Sequence, residues 1–270
     1  MVRSRALKPS LRTLSRKETT ALAALSVKKF RRETGRTIAE GEDLVGEVLA
    51  SPWQVHQVIV TAAYLQRGGI TRWADELARR GAILRLVDDD AMKRISTLTT
   101  APGLLAVVSP PVENIGDDSF ILALDRIADP VNLGAIARVA CFYGVSRLWL
   151  SEDCADPLHP RALRAAMGGL FHLPFRHTAP LCDHLQTARL DGVTIIVADA
   201  AAGVQPAPLP RNRPVMLVLG SEAHGVRPEI AALAHTRWRI TPRGRDLTLN
   251  VAAAAAVLLD RMFQQMSPGV

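Results

Sequence analysis

From residue 120 onward, short and mostly apolar runs alternate with stretches of helical spacing, and few folds accommodate that rhythm. The runs fall at 120–124, 148–150, 193–198, 215–219 and 238–240, with helical spacing at 133–143, 161–168, 181–190 and from about 249 to 266. A strand without polar alternation has both faces covered, as in a mostly parallel sheet layered by helices. Ligands of such sheets bind beyond the carboxyl ends of the strands. The loops after Leu124, Leu219 and Ile240 therefore hold the candidate site.

The first half has a different grain. Helical spacing at 16–30, 42–50, 72–80 and 88–95 is separated by short strands at 36–39, 57–60, 84–87 and 103–108, the pattern of a small α/β sandwich. Residues 109–119, SPPVENIGDDS, have prolines, a glycine and acids but no period. They separate an N-terminal domain, 1–112, from a C-terminal one, 120–270, through a linker at 113–119.

Charge is unevenly spread. Residues 1–36 hold 11 Lys/Arg against Glu18 and Glu33, although the whole chain carries only +7. Lys28, Lys29, Arg31, Arg32 and Arg36 form its densest part, a candidate contact for nucleic-acid phosphates. A solubilising tail or an attraction to acidic lipid would use the same charge. No apolar run is long enough to span a bilayer, and the start, MVRSRALKPS, lacks the apolar core of a secretory signal. Three cysteines, Cys141, Cys154 and Cys182, form no paired framework and suit a reducing cytosol.

The first loop leads from Pro130 into a helix that is apolar nearly all round, with Asn132 suited to cap it. Arg138 is the exception on that helix. It needs a phosphate, a partner chain or an internal carboxylate such as Glu222 or Asp125. The second loop, VLGSEAHGV, places Glu222 between Gly220 and Gly225, where glycines permit a close backbone approach or a positive φ. The third, ITPRGRDLTLN, runs to a helix of small residues; Thr248 there serves as a helix cap or a ligand, and Asn250 satisfies loop carbonyls or a substrate.

Taken in order, these loops resemble the three signature motifs of the SpoU (TrmH-type) branch of the SPOUT RNA methyltransferases. Asn132, Gly134 and Arg138 match the first; Gly220, Glu222 and Gly225 the second; Ile240, Gly244, Thr248, Leu249, Asn250 and Val251 the third. Residues 29–49 and 98–111 are similar to that family's ribosomal-protein-like substrate-binding domain. The resemblance implies an α/β fold with a deep trefoil knot, although knots are rare. It also implies S-adenosylmethionine as cofactor, a homodimer, and 2'-O-methylation of a ribose in structured RNA, ribosomal before transfer RNA. Gly220, Ile240 and Leu249, with Leu219 and Gly225, would line the cofactor site. Arg138 would be catalytic, with Asn132, Glu222, Thr248 and Asn250 orienting the ribose or Arg138 itself. A guanidinium with a pKa above ~12 is a poor base, so the role implied for Arg138 is electrostatic.

The third motif departs from the family pattern: Ile240-Thr241-Pro242 replaces isoleucine-proline-methionine, Thr248 replaces serine, and Ala252 stands where many members have serine. His172, His177, Cys182 and His184 match no familiar zinc spacing, so no metal site is expected. Trp53, Trp73, Trp149 and Trp238 are scattered and suit core packing better than base stacking. Two other functions compete: an RNA-binding or ribosome-assembly factor that kept the fold without turnover, and a nucleotide-binding metabolic enzyme.

Overall fold

The computed structural model describes residues 12–112, 119–202, 213–245 and 248–266. Arg3, Arg5, Lys8 and most of the expected linker lie outside the described residues. Backbone contacts divide the chain into two units: residues 1–112 with 158–164, and residues 113–157 with 165–270.

In the first unit the chain runs β1 (Arg12–Thr13), α1 (Arg16–Ala23), α2 (Lys28–Thr34), β2 (Thr37–Glu40), α3 (Glu42–Leu49), β3 (Gln54–Thr61), α4 (Ala62–Gln66), α5 (Ala74–Arg79), β4 (Ile83–Val87), α6 (Asp89–Ile95) and β5 (Leu104–Ser109). The sheet order is β1-β4-β3-β5-β2, with β5 antiparallel to both its neighbours. Ser15 and Glu18 start α1 through a reciprocal capping box. Leu22 and Leu25 then pack with Met92 and Ile95 over Ile38, Ile59, Leu105 and Val107.

The single helix expected over 16–30 is broken by a 3₁₀ turn at Ala24–Ser26. Arg31 explains how that turn is held. Its guanidinium donates to the carbonyls of Leu25 at 2.9 Å and Ser26 at 2.8 Å, and the residue is 1% exposed. Arg31 is thus an internal brace, which corrects its assignment to the RNA-contacting surface. Lys28, Lys29, Arg32 and Arg36 are exposed as that assignment requires.

The second unit contains β6 (Phe120–Asp125), α7 (Pro130–Phe142), β7 (Arg147–Leu150), α8 (Pro160–Ala166), α9 (Gly169–His172), β8 (Phe175–His177), α10 (Leu181–Leu190), β9 (Thr194–Ala198), β10 (Val215–Gly220), α11 (Pro228–Ala231), β11 (Thr236–Trp238) and α12 (Val251–Met266), except that most of α8 groups with the first unit. Its sheet has the order β11-β9-β10-β6-β7-β8, and every pairing is parallel. Ile121, Ala123, Met216 and Val218 face a core shared with Leu181, Leu185 and Ile230. The alternate residues Leu122, Leu124, Leu217 and Leu219 are equally buried. Both faces are covered, as the mostly apolar runs predict. The last strand ends at Trp238, two residues short of the expected 238–240, and α12 opens at Val251 rather than Thr248 or Leu249.

No helix among the described residues is long and apolar enough to cross a membrane. The three cysteines are unbridged.

Candidate active site

Parallel strands deliver β9, β10 and β11 to the same side of the sheet, and a cleft of about 440 Å³ opens beyond their ends. Leu219, Gly220, Gly225, Ile240 and Leu249, the five residues expected around a cofactor, all line it. Glu222 and Thr248 line it too.

The second loop folds back on itself for reasons visible at its two glycines. A Cβ on Gly220 would lie 2.0 Å from the carbonyl carbon of Gly225, so only glycine fits. Gly225 has φ +63°, and its N–H donates to the carbonyl of Ser221 at 2.8 Å. The doubled-back loop is pinned from β6. Asp125, fully buried at that strand's end, accepts the Arg227 N–H at 2.8 Å, and the guanidinium of Arg227 reaches Asp125, Glu152 and Asp153. Arg126, at φ +62°, donates to the carbonyl of Gly225 at 3.2 Å. Burial pushes the Asp125 carboxyl above its ordinary range, against the pull of the Arg227 N–H and guanidinium.

Within this frame the three motifs meet at one oxygen. Glu222 Oε1 accepts from Asn250 Nδ2 at 2.7 Å, from the Val251 N–H at 3.0 Å and from Asn132 Nδ2 at 3.4 Å. Asn250 Nδ2 also donates to Asn132 Oδ1 at 3.0 Å, while Asn250 Oδ1 caps α12 by accepting the Ala252 N–H. Asn250 therefore does the capping considered for Thr248. At α7 the cap is Asp129, which accepts the Val131 N–H, with Pro130 as the first helical residue; Asn132 is left free of that duty and turns to Glu222 instead.

Arg138 stands apart from this cluster. It is exposed on α7, in line with the exposed Val131 and Phe142, and is not among the residues lining the cleft. Neither internal carboxylate considered for it is its partner: Glu222 is held by the asparagines and Asp125 by Arg227. Among the described residues no carboxylate pairs with Arg138.

A match to the SpoU rRNA Methylase family spans residues 119–260, and a match to the MRM3-like substrate binding domain spans residues 17–106. The chain belongs to the SpoU rRNA methylase family. Membership makes it an S-adenosylmethionine-dependent RNA 2'-O-methyltransferase, as the motifs implied. Among its relatives is the 23S rRNA (guanosine(2553)-2'-O)-methyltransferase RlmP of Bacillus subtilis, 28% identical over 87% of this chain and 91% of the relative. A TrmH-family structure from Porphyromonas gingivalis superposes with TM-score 0.79 and 31% identity over 93% of this chain and 98% of the other. An AdoMet-bound rRNA methyltransferase from Sinorhizobium meliloti does so with TM-score 0.78 and 26% identity over 94% and 96%.

The cleft suits the methyl donor of this family. Its volume lies within the range of small-ligand sites, and Ile240 and Leu249 give its wall apolar surface. Trp238, almost fully buried, also contributes to the wall.

Sequence reasoning missed Asp199, which lines the cleft after β9, because only three strand ends were read. It missed Asp125 and Arg227 as well; no motif joins residues about a hundred positions apart. Of the tryptophans, Trp53, Trp149 and Trp238 are buried and Trp73 is half-buried beneath the Arg72 guanidinium. Among the described residues no three His, Cys, Asp or Glu side chains gather as a metal site.

Proposed function

We propose that this enzyme methylates a ribose 2'-hydroxyl in ribosomal RNA, working in the cytoplasm as a homodimer. The observation that carries the reading is the convergence of Asn132 and Asn250 on Glu222 at the mouth of the cleft. A chain that had given up turnover would have no need to hold three polar side chains from three separate segments at one point. The ribosomal preference is supported by relatives that methylate 23S rRNA and by the match of the N-terminal half to a substrate-binding domain.

Bound S-adenosylmethionine supplies the electrophilic methyl group; the protein's task is to position the ribose and manage its proton. Glu222 fixes the amides of Asn132 and Asn250, and these in turn orient the ribose hydroxyls. Thr248 adds a hydroxyl to the same wall. Leu219, Gly220, Gly225, Ile240 and Leu249 enclose the donor. As the 2'-hydroxyl passes its proton to water and its oxygen takes the methyl group, Arg138 stabilises the alkoxide that develops there and fixes a backbone phosphate.

Arg138 meets the cleft of a second copy in this proposal. Its exposed stripe on α7 includes Phe142, 81% exposed, whose neighbour Tyr143 contacts the half-exposed Phe263 of α12. Apolar surface of that size on adjoining helices suits burial against another subunit. The deep trefoil knot implied by the motifs belongs to the same proposal. Lys28, Lys29, Arg32 and Arg36 supply the sequence-blind attraction to RNA.

Transfer of labelled methyl groups to purified ribosomal and transfer RNA, with Arg138→Ala as control, tests the reading. Incorporation into ribosomal RNA that the substitution abolishes is expected. Incorporation into transfer RNA alone overturns the substrate assignment; none into either, with RNA binding retained, favours an assembly factor.

A further inference from the structure

The cleft carries a charge pattern that its methyl donor does not explain. Arg239, Arg243 and Arg245 line it, against the two carboxylates of Asp199 and Glu222. Both carboxylates are already engaged. Asp199 accepts the Ala201 N–H at 2.8 Å and pairs with Arg237 at 3.4 Å, and Glu222 holds the two asparagines. Arg243 and Arg245 are exposed, and no carboxylate pairs with either among the described residues. S-Adenosylmethionine bears a sulfonium, an ammonium and a carboxylate, so it is a net cation. Two unpaired guanidiniums beside a cationic ligand repel it unless an anion joins them. They also stand in the segment between β11 and α12 that carries Thr248 and Leu249 into the same cleft.

We propose that Arg243 and Arg245 form a clamp for the phosphodiester on the 3' side of the target ribose. The reason is covalent. The 2'-hydroxyl and the 3'-oxygen sit on neighbouring ring carbons, so a 2'-oxygen brought to the cleft brings its 3'-phosphate with it. Guanidinium forks suit two phosphate oxygens at once, which a lysine ammonium matches only as a point charge. The clamp also orders the charges: the phosphate screens the arginines from the sulfonium, so RNA and methyl donor assist each other's binding. This inference rests on the proposed action on an RNA ribose.

The test uses the full-length chain, ribosomal RNA as probe, and the variants R243A/R245A and R243K/R245K. The alanine pair is expected to lower the slope of log affinity against log salt by about 0.7–0.9, the value for one lost phosphate contact. KM for RNA should rise by roughly tenfold or more at physiological salt, and the lysine pair should recover the slope but only part of the KM. Affinity for S-adenosylmethionine without RNA should stay the same or improve. An unchanged salt slope overturns the clamp, as does weakened cofactor binding with RNA affinity intact, which would assign the arginines to the donor's carboxylate. Absence of methyl transfer by the unsubstituted enzyme would instead refute the proposed function, with the salt slopes still deciding the clamp.

Discussion

The carboxylate of Glu222 receives the first backbone N–H of α12, that of Val251, at 3.0 Å. One oxygen thus serves as anchor for the helix and as the meeting point of Asn132 and Asn250. An anion at the positive end of a helix is stabilising, but Glu222 is exposed and water replaces it in part. Glu222→Ala should therefore cost only about 1 kcal/mol, a fall of roughly 2–4 °C in Tm. Methyl transfer should fall much further, by roughly 10²-fold in kcat/KM, because the asparagine amides lose their orientation. Glu222→Gln, which keeps one acceptor, should lie between. Thermal melts and methyl-transfer kinetics on both variants decide it; activity that declines only as far as folding does would reduce Glu222 to a helix cap.

The doubled-back loop makes a sharper demand at Gly220. Gly220→Ala places a methyl group 2.0 Å from the Gly225 carbonyl carbon, and backbone cannot yield that much without opening the loop. Cofactor binding should be lost, with destabilisation of about 2 kcal/mol or more. At Gly244, in the third motif, a Cβ would meet nothing within 4 Å, so Gly244→Ala should stay within about 1 kcal/mol of the parent. Calorimetric titration with S-adenosylmethionine on the two alanine variants contrasts them, and tight binding by Gly220→Ala would show that the loop is pliable.

Legibility followed the range of the interactions involved. Period and apolar runs are local, and they placed four of the five strands read in the second half; the last was expected at 238–240 and lies at Thr236–Trp238, and β8 with its three residues Phe175–His177 was missed. Motif spacing brought Asn132, Glu222 and Asn250 to one cluster because each stands in a loop or helix start on the same side of a parallel sheet. Arg31 was misjudged because a basic run looks alike whether its guanidiniums meet solvent or, as here, the carbonyls of Leu25 and Ser26. For Arg138 the wheel of an apolar helix implied enclosure, yet within one chain that face is open. Asp125 was unreadable: its partner Arg227 arrives from another strand's loop, and only folding brings them to 2.8 Å.

That pair makes a prediction about pH. Burial raises the Asp125 carboxyl above its ordinary 3.8, with Arg227 opposing. The folded state therefore holds this proton more tightly than the unfolded chain, and the group's stabilising contribution is fully present below its unfolded value. It is lost as pH rises from about 3.8 through the raised folded value. Asp125→Asn does not titrate, so the parent's stability relative to this variant should decline across that window. Urea unfolding of both at a series of pH values measures it, and a difference independent of pH would count against the assignment. Arg227→Ala removes the guanidinium from the buried carboxylate but leaves the backbone N–H bond and Arg126, so it should cost about 1–3 kcal/mol, and adding Asp125→Asn to it should recover part of the loss.

Arg31 separates bracing from RNA binding within one basic run. Its two buried charge-assisted bonds hold the 3₁₀ turn between α1 and α2, so Arg31→Ala should destabilise the first unit by about 3 kcal/mol. Lysine cannot reach two carbonyls with the same planar fork, so Arg31→Lys should rescue little. Where the variant remains folded, its RNA affinity should show the parent's salt dependence, since no phosphate contact has gone. Lys29→Ala and Arg32→Ala should do the reverse, leaving the unfolding midpoint near the parent's and lowering the salt slope by about 1 each. Filter binding across a salt series, paired with denaturant melts, reads both quantities. A reduced salt slope in folded Arg31→Ala would return that guanidinium to the RNA surface.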